Sequence, residues 1–197
     1  MRIVGILLAA GRGTRFGGDK LAAALPHASH GVPAGTPLGV AAAMHLVGAI
    51  AETVAIVRRG DELTGALRRA GACIVECANA DEGMGASLAC GVAATRDADG
   101  WVVALADMPW IAPATIRAVA NAIRDGADIA APVHRGERGH PVAFAARHGD
   151  DLCALTGDAG ARSLLALHAA TVTLLDVDDA GVVRDVDTRA ALLAGDA

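Results

Sequence analysis

A glycine-rich, cationic segment directly after a short apolar run is the feature that most constrains the fold. The apolar residues 3–10 predict a β-strand buried on both faces. The overlapping segment LLAAGRGTRFGGDKL, residues 7–21, then brings glycines together with arginines and a lysine. Glycines let the backbone turn sharply and bring N–H groups close to phosphate oxygens. A strand that leads into such a loop is typical of an α/β fold that binds a ligand at the carboxyl ends of its strands.

The rest of the chain alternates apolar strand-like runs with helical patterns. Further strands are predicted at residues 53–57, 72–75, 101–106, 129–133, 142–145 and 172–177. Helices are predicted over residues 63–70 after Asp61, over 84–95, from Pro113, from Asp158 to about 168, and after Thr188. The loop 26–37 is expected to be mobile. We predict one α/β domain over residues 1–197: a Rossmann-like three-layer sandwich with a mostly parallel central sheet.

The cations of the glycine loop suit a triphosphate. Arg12 and Arg15 can donate forked hydrogen bonds to phosphate oxygens, and Lys20 adds a point charge. The loop is not a P-loop, because Lys20 follows an aspartate and precedes a leucine. A dinucleotide fingerprint also fails, because no acidic residue lies between Asp19 and Glu52 to bind the ribose. A solvated surface turn is the alternative.

Carboxylates follow two of the predicted strands. Asp107 lies in L-A-D-M-P-W just past the strand 101–106, where a side chain faces the ligand crevice. Oxygen ligands there suit Mg²⁺, and the next helix starts too far away for Asp107 to cap it. Asp185 and Asp187, in R-D-V-D-T, point the same way in an extended stretch, so either can face the crevice. Asp187 is also placed to cap a helix.

The glycine loop, L-A-A-G-x-G-x-R-x-G-x-x-K, resembles the signature of the nucleotidyltransferases that act on the molybdenum cofactor. It is most similar to the cytidylyltransferase branch, since the guanylyltransferase branch usually has a second glycine in place of Ala10. The resemblance covers nearly the whole chain. D-x-D-T matches the closing motif of the family, which implies that Asp187, and not Asp185, shares a metal with Asp107.

Three later segments resemble family motifs as well. E-G-M-G-A-S-L, residues 82–88, is similar to G-M-S-S-S-L and leaves Ser87 as a donor to the nucleotide; its glycines can alternatively serve close helix packing. R-G-E-R-G-H-P-V-A-F, residues 135–144, implies Arg138 and His140 beside the acceptor, although His140 is equally acceptable as a structural histidine. G-D-A-G-A-R, residues 157–162, places Arg162 within possible reach of an anionic acceptor.

The resemblance implies transfer of a nucleotidyl group from CTP to the phosphate of molybdenum-loaded molybdopterin, with Mg²⁺ as cofactor and release of pyrophosphate. The implied catalytic residues are Arg15, Lys20 and Asp107. The candidate nucleotide-binding residues are Leu8, Ala9, Ala10, Gly11, Arg12, Gly13, Lys20 and Ser87. A molybdoenzyme or its maturation factor is a possible further partner. Related transferases that use GTP or a sugar-phosphate acceptor, a non-catalytic cofactor carrier, and a hydride-transferring enzyme are the alternatives.

Composition excludes other classes. A net charge of −5 and 2% aromatic residues disfavour nucleic-acid binding, and no apolar run is long enough to span a membrane. The amino terminus does not resemble a signal peptide, which predicts a cytoplasmic protein. The four cysteines lack metal-ligand spacing, so we expect inert and mostly buried thiols. No ligand set is expected among the remaining histidines: His27, His30, His45, His134, His148 and His168.

Overall fold

The computed structural model of the chain describes residues 1–11, 13 and 16–193. Its centre is one mixed sheet of eight strands. The strands are β1 (Ile3–Leu8), β2 (Thr53–Val57), β3 (Cys73–Glu76), β4 (Gly100–Leu105), β5 (Ile129–His134), β6 (Glu137–Arg138), β7 (Val142–Ala145) and β8 (Val172–Asp176). They are ordered β3-β2-β1-β4-β7-β5-β6, and β8 pairs with β5. β1 to β4 are parallel, and β7 runs antiparallel between β4 and β5.

Helices cover both faces of this sheet. They are α1 (Leu38–Ala49), α2 (Thr64–Arg69), α3 (Met84–Ala94), α4 (Pro113–Arg124), α5 (Gly149–Cys153), α6 (Arg162–Leu167) and α7 (Arg189–Leu193). α1, α2 and α4 bury residues such as Leu46 and Val119 on one face. α3, α5 and α6 bury Leu88 and Leu152 on the other. The predicted mostly parallel α/β sandwich is confirmed. None of the helices in the described part of the chain combines the length and apolarity of a membrane-spanning segment.

Several predicted boundaries are wrong. The first strand ends at Leu8, so Ala9 and Ala10 belong to the loop. The helix expected from Asp158 begins at Arg162 and has no side-chain cap, because the intervening residues form turns. α1 was not predicted: buried along most of its length, it lacks the polar stripe that produces helical periodicity.

The loop expected to be mobile is held by specific contacts. The Leu25 N–H donates to the Thr36 carbonyl oxygen at 2.8 Å, and the His45 ring contacts the Ser29 carbonyl oxygen at 3.1 Å. Val32 of this loop and apolar residues on either side of it pack with the glycine segment and with the carboxyl-terminal segment in a small third cluster, formed by Phe16, Leu25, Val32, Leu38, Ala41, Trp110, Val186 and Leu192. The cluster therefore joins three parts of the chain that surround the end of β4.

Backbone pairing positions the late carboxylates beside Asp107. The Val186 N–H donates to the Asp107 carbonyl oxygen at 2.9 Å, and the Val186 side chain is fully buried. Asp185 and Asp187 therefore flank a residue anchored next to Asp107. The amino terminus of α4 is served by another carboxylate: Asp179 accepts hydrogen bonds from the Ala112 N–H and the Thr115 hydroxyl.

Candidate active site

A cleft of about 540 Å³ opens at the carboxyl ends of β1 and β4, within the size range of small-ligand sites. Several side chains and loops that the sequence assigned to the nucleotide line it together with Asp107: Leu8, Ala10, Gly11, Gly13, Lys20 and Ser87. Ala9 is buried and does not line the cleft. Arg12 and Arg15 lie outside the described residues. The glycine loop thus forms one wall of the cleft.

Gly13 allows this loop to fold back on Lys20. Its φ is +57°, a backbone conformation that residues other than glycine rarely adopt, and a Cβ there would lie 2.7 Å from the Lys20 Cβ. The close approach leaves the Lys20 side chain only 11% exposed. The local turn therefore fixes the direction of the lysine, which is the only one in the chain.

Lys20 ends among carboxylates from two distant segments. Its Nζ lies 2.7 Å from Asp107 Oδ2 and 3.5 Å from Asp187 Oδ1. Carboxylate oxygens of Asp107, Asp185 and Asp187 lie within 4.8 Å of one another. We call these three residues the carboxylate cluster. Convergent charges of both signs in a half-buried cleft are typical of a site that handles phosphate and metal together.

The donor set of the carboxylate cluster fits the implied magnesium ion. All three side chains offer hard oxygen ligands, which Mg²⁺ prefers, and the lysine ammonium already provides a positive charge at this position. The sequence had assigned the metal to Asp107 and Asp187 and had set Asp185 aside. The geometry brings Asp185 into the same cluster. The period-two spacing identified both residues, and only the family resemblance favoured Asp187 over Asp185.

The opposite wall is the start of α3, which packs tightly against the loop before α6. A Cβ on Gly85 would lie 2.6 Å from the Thr156 carbonyl oxygen, and the Gly85 N–H donates to the Gly157 carbonyl oxygen at 2.7 Å. A Cβ on Gly83 would collide with Asp158 and Gly157. These glycines therefore serve close packing, the alternative raised from sequence. The Ser87 hydroxyl donates to the Gly83 carbonyl oxygen at 3.3 Å and lines the cleft.

Sequence reasoning missed Arg58. This residue follows β2, and its Nε donates to the Ala10 carbonyl oxygen at 2.6 Å while its guanidinium lies 3.1 Å from Asp81. Both Arg58 and Asp81 line the cleft. The signal was available, because β2 is the parallel neighbour of β1 and the carboxyl ends of such strands share one edge of the sheet.

The candidate acceptor residues separate in the structure. Burial lowers the pKa of His140, while the charge of Asp107 opposes that shift, and His140 does not line the cleft. Its buried Nδ1 has no hydrogen-bond partner, which does not fit a satisfied structural histidine. Arg138 lies on the exposed strand β6, and Arg162 begins α6 on the surface. Neither arginine lines the cleft.

The cysteines contribute no part of this cleft. All four are free thiols, but only Cys77 is buried and Cys73 is exposed, so the expectation of mostly buried thiols is wrong. Burial, together with a hydrogen bond to Cys77, raises the pKa of Cys90 to about 12. Cys90 is therefore a protonated thiol at neutral pH, as expected of an unreactive cysteine.

Comparison with known proteins gives the class. Residues 5–172 match the MobA-like NTP transferase domain, and the chain belongs to this family of nucleotidyltransferases. The matched range includes the glycine loop and Asp107 and ends before Asp185 and Asp187. No curated protein sequence matches the chain.

Solved structures with the same fold cover almost the whole chain. Rv0371c from Mycobacterium tuberculosis H37Rv is 26% identical with a TM-score of 0.76, and the alignment covers 97% of this chain and 95% of that one. A structure of Rv0371c with manganese is similar at 27% identity, a TM-score of 0.71, and 97% and 96% coverage. A nucleotidyl transferase from Methanothermobacter (Mth528) shares the fold at 23% identity and a TM-score of 0.78, covering 98% and 94%. A divalent metal is thus present in a structure of one relative.

Proposed function

We propose that this chain transfers the nucleotidyl group of CTP to the terminal phosphate of molybdenum-loaded molybdopterin and releases pyrophosphate. The single observation that carries the proposal is the position of Lys20, with its Nζ 2.7 Å from Asp107 in a cleft walled by the glycine loop. The choice of CTP and of this acceptor rests on the sequence resemblance, with Ala10 as the distinguishing residue.

The cations around the cleft would bind and neutralise the triphosphate. Lys20, with Arg12 and Arg15 of the same loop, would neutralise the triphosphate, and backbone N–H groups of the glycine loop would contact its oxygens. Arg58 would hold the loop in shape through its hydrogen bond to the Ala10 carbonyl oxygen. Two anions must meet in this reaction, so lowering their repulsion is the main requirement.

No residue needs to act as a strong base. A phosphate monoester is already an anion at neutral pH, so its oxygen can attack the α-phosphorus directly. That P–O bond forms as the bond from the α-phosphorus to the bridging oxygen of pyrophosphate breaks, and pyrophosphate leaves with the electron pair. His140, whose buried Nδ1 has no hydrogen-bond partner, would orient the acceptor by a hydrogen bond.

The carboxylate cluster would hold Mg²⁺ through Asp107 and Asp187, with Asp185 as a third candidate ligand. A bound Mg²⁺ supplies positive charge to the reacting phosphates. Separate Asp185→Asn and Asp187→Asn variants decide between the two late carboxylates, because the ligand is the one whose loss raises the Mg²⁺ concentration needed for half-maximal rate.

The test is pyrophosphate release by the purified protein with Mg²⁺, comparing CTP, GTP and ATP, each with and without molybdenum-loaded molybdopterin. The proposal predicts acceptor-dependent release that is fastest with CTP, lost in Asp107→Ala, and kept in the control Asp125→Asn, whose exposed carboxylate follows α4. Release that is fastest with GTP would identify GTP, and not CTP, as the donor nucleotide. Binding of molybdenum-loaded molybdopterin without pyrophosphate release from any nucleotide would indicate a non-catalytic carrier.

The single lysine allows an independent test of nucleotide binding. A lysine-selective acylating reagent can modify only Lys20 and the terminal amine, and mass spectrometry separates the two. The proposal predicts that CTP with Mg²⁺ protects Lys20 and leaves labelling of the terminal amine unchanged. Equal labelling of Lys20 with and without nucleotide would contradict binding of the triphosphate at this residue.

A further inference from the structure

A second group of metal-ligating side chains lies outside the cleft, although the sequence predicted no ligand set among these histidines. Ligand atoms of His148, Asp151 and His168 lie within 4.8 Å of one another. We call these residues the histidine cluster. The two imidazole rings meet edge to face, with centroids 4.9 Å apart. Sequence spacing did not identify this group, because His168 lies twenty positions from His148 in sequence and only the fold brings them together.

The fold positions all three residues in or next to two short helices. His148 immediately precedes α5, and Asp151 lies one turn further on the same face, as the i, i+3 spacing requires. His168 immediately follows α6. The neighbouring Asp150 and Cys153 are engaged elsewhere, since both contact the Arg96 side chain. The histidine cluster therefore links the start of α5 to the end of α6.

His148 supplies the observation that indicates a ligand. The residue is only 4% exposed, and its Nε2 is buried without a hydrogen-bond partner. A buried imidazole nitrogen without a partner is costly in free energy, because burial removes the hydrogen bond that water would provide. The nearby Arg147 cation is paired with Asp128 at 2.6 Å.

We propose that the histidine cluster is a second metal site, which binds a divalent transition ion such as Zn²⁺ through two imidazoles and one carboxylate. Tetrahedral zinc sites place neighbouring ligand atoms roughly 3.3 Å apart, so these atoms need to approach by no more than about 1.5 Å. Asp151 is exposed and His168 half-exposed, so both can make that adjustment. Imidazole ligands favour such ions over Mg²⁺, which distinguishes this site from the carboxylate cluster.

The site has a structural consequence for the cleft. A metal bound there closes the segment 148–168, whose middle forms the loop that packs against Gly83 and Gly85. The ion would thereby stabilise one wall of the nucleotide cleft without touching the reacting groups. This expectation follows from position alone and is independent of which nucleotide the cleft binds.

The test measures Zn²⁺ affinity of the full chain by competition with a chromophoric chelator. An Asp107→Asn background weakens metal binding at the carboxylate cluster, and His168→Gln, Asp151→Asn or His27→Gln is added to it. His27 is an exposed histidine of the loop 26–37 and serves as the matched control. His148 itself is left intact, because it is buried and its replacement can unfold the chain.

The proposal predicts one tightly bound Zn²⁺ per chain in the background and in the His27→Gln control. Loss of His168 or Asp151 should weaken binding by more than about 100-fold, since even loss of an outer partner of a ligand costs 10–100-fold. The visible absorption of bound Co²⁺ should change in the same variants. No Zn²⁺ binding in the background, or binding equally tight in all variants, would overturn the proposal.

Discussion

Two clusters of three titratable side chains differ in what surrounds them. The carboxylate cluster has oxygen donors only, includes Asp107 of the cleft lining, and already contacts the ammonium of Lys20. The histidine cluster has two nitrogen donors and one carboxylate, and its deepest member is a buried imidazole with an unpartnered nitrogen. The first arrangement suits a hard ion that works with phosphates, and the second suits a borderline ion held by the fold.

The largest effect should come from removing one ligand from each cluster in turn. Asp107→Asn should lower Mg²⁺-dependent nucleotidyl transfer about 10²–10³-fold, the loss typical when one charge-stabilising group is removed, yet should keep Zn²⁺ binding. His168→Gln should lose Zn²⁺ binding and keep nucleotidyl transfer. Steady-state rates and chelator competition on the same preparations measure both properties. If either variant loses both, the two clusters are not separate sites.

Lys20→Gln should reduce transfer by about 10²-fold, because a buried charge-assisted contact worth roughly 1.5–3 kcal/mol is lost from the triphosphate. The measurement is kcat/KM for CTP. The histidine cluster should be unaffected, so Zn²⁺ affinity is the internal control. An unchanged kcat/KM would show that Lys20 serves only to neutralise Asp107 and Asp187.

Gly85→Ala tests the wall that joins the two regions. Its Cβ would lie 2.6 Å from the Thr156 carbonyl oxygen, so we expect a loss of about 1–3 kcal/mol in the free energy of unfolding. Gly48→Ala is the matched control: this glycine also lies in a helix, but a Cβ there meets nothing within 4 Å. That change should stabilise the chain by about 0.5–1 kcal/mol. Urea unfolding compares the two, and equal effects would refute the packing explanation.

Arg58→Gln should have the smallest effect, raising KM for CTP by about tenfold, the equivalent of about 1.4 kcal/mol. The reason is the loss of the hydrogen bond that Arg58 donates to the Ala10 carbonyl oxygen at the start of the glycine loop. Arg59→Gln changes the adjacent exposed arginine, which does not line the cleft, and should leave KM unchanged. A fall in kcat with constant KM would instead show that Arg58 stabilises the transition state.

The sequence predicted the parts of the fold that have strong periodicity or a local motif. The amphipathic helix α4 and the apolar strands were found because burial on one face, or on both, leaves a pattern in the residues. α1 was missed because it is apolar around most of its circumference. The glycine loop and Asp107 were found from their positions relative to a strand end.

Features that depend on contacts between distant segments could not be predicted. Asp185 joins Asp107 only because the Val186 N–H donates to the Asp107 carbonyl oxygen. His148 and His168 become neighbours only after α5 and α6 pack on the same face of the sheet. No local spacing encodes either arrangement, since each depends on how the whole sheet positions the ends of its elements.

The most direct test of the central claim follows the label from CTP radioactively labelled at either the α- or the γ-phosphorus, with molybdenum-loaded molybdopterin as acceptor. Nucleotidyl transfer at the Lys20–Asp107 cleft predicts that the α-label appears in the molybdopterin product and the γ-label in pyrophosphate, both lost in Asp107→Ala. Appearance of the γ-label in the acceptor would show phosphoryl transfer instead. Retention of both labels in CTP, with the acceptor bound, would contradict the proposed activity.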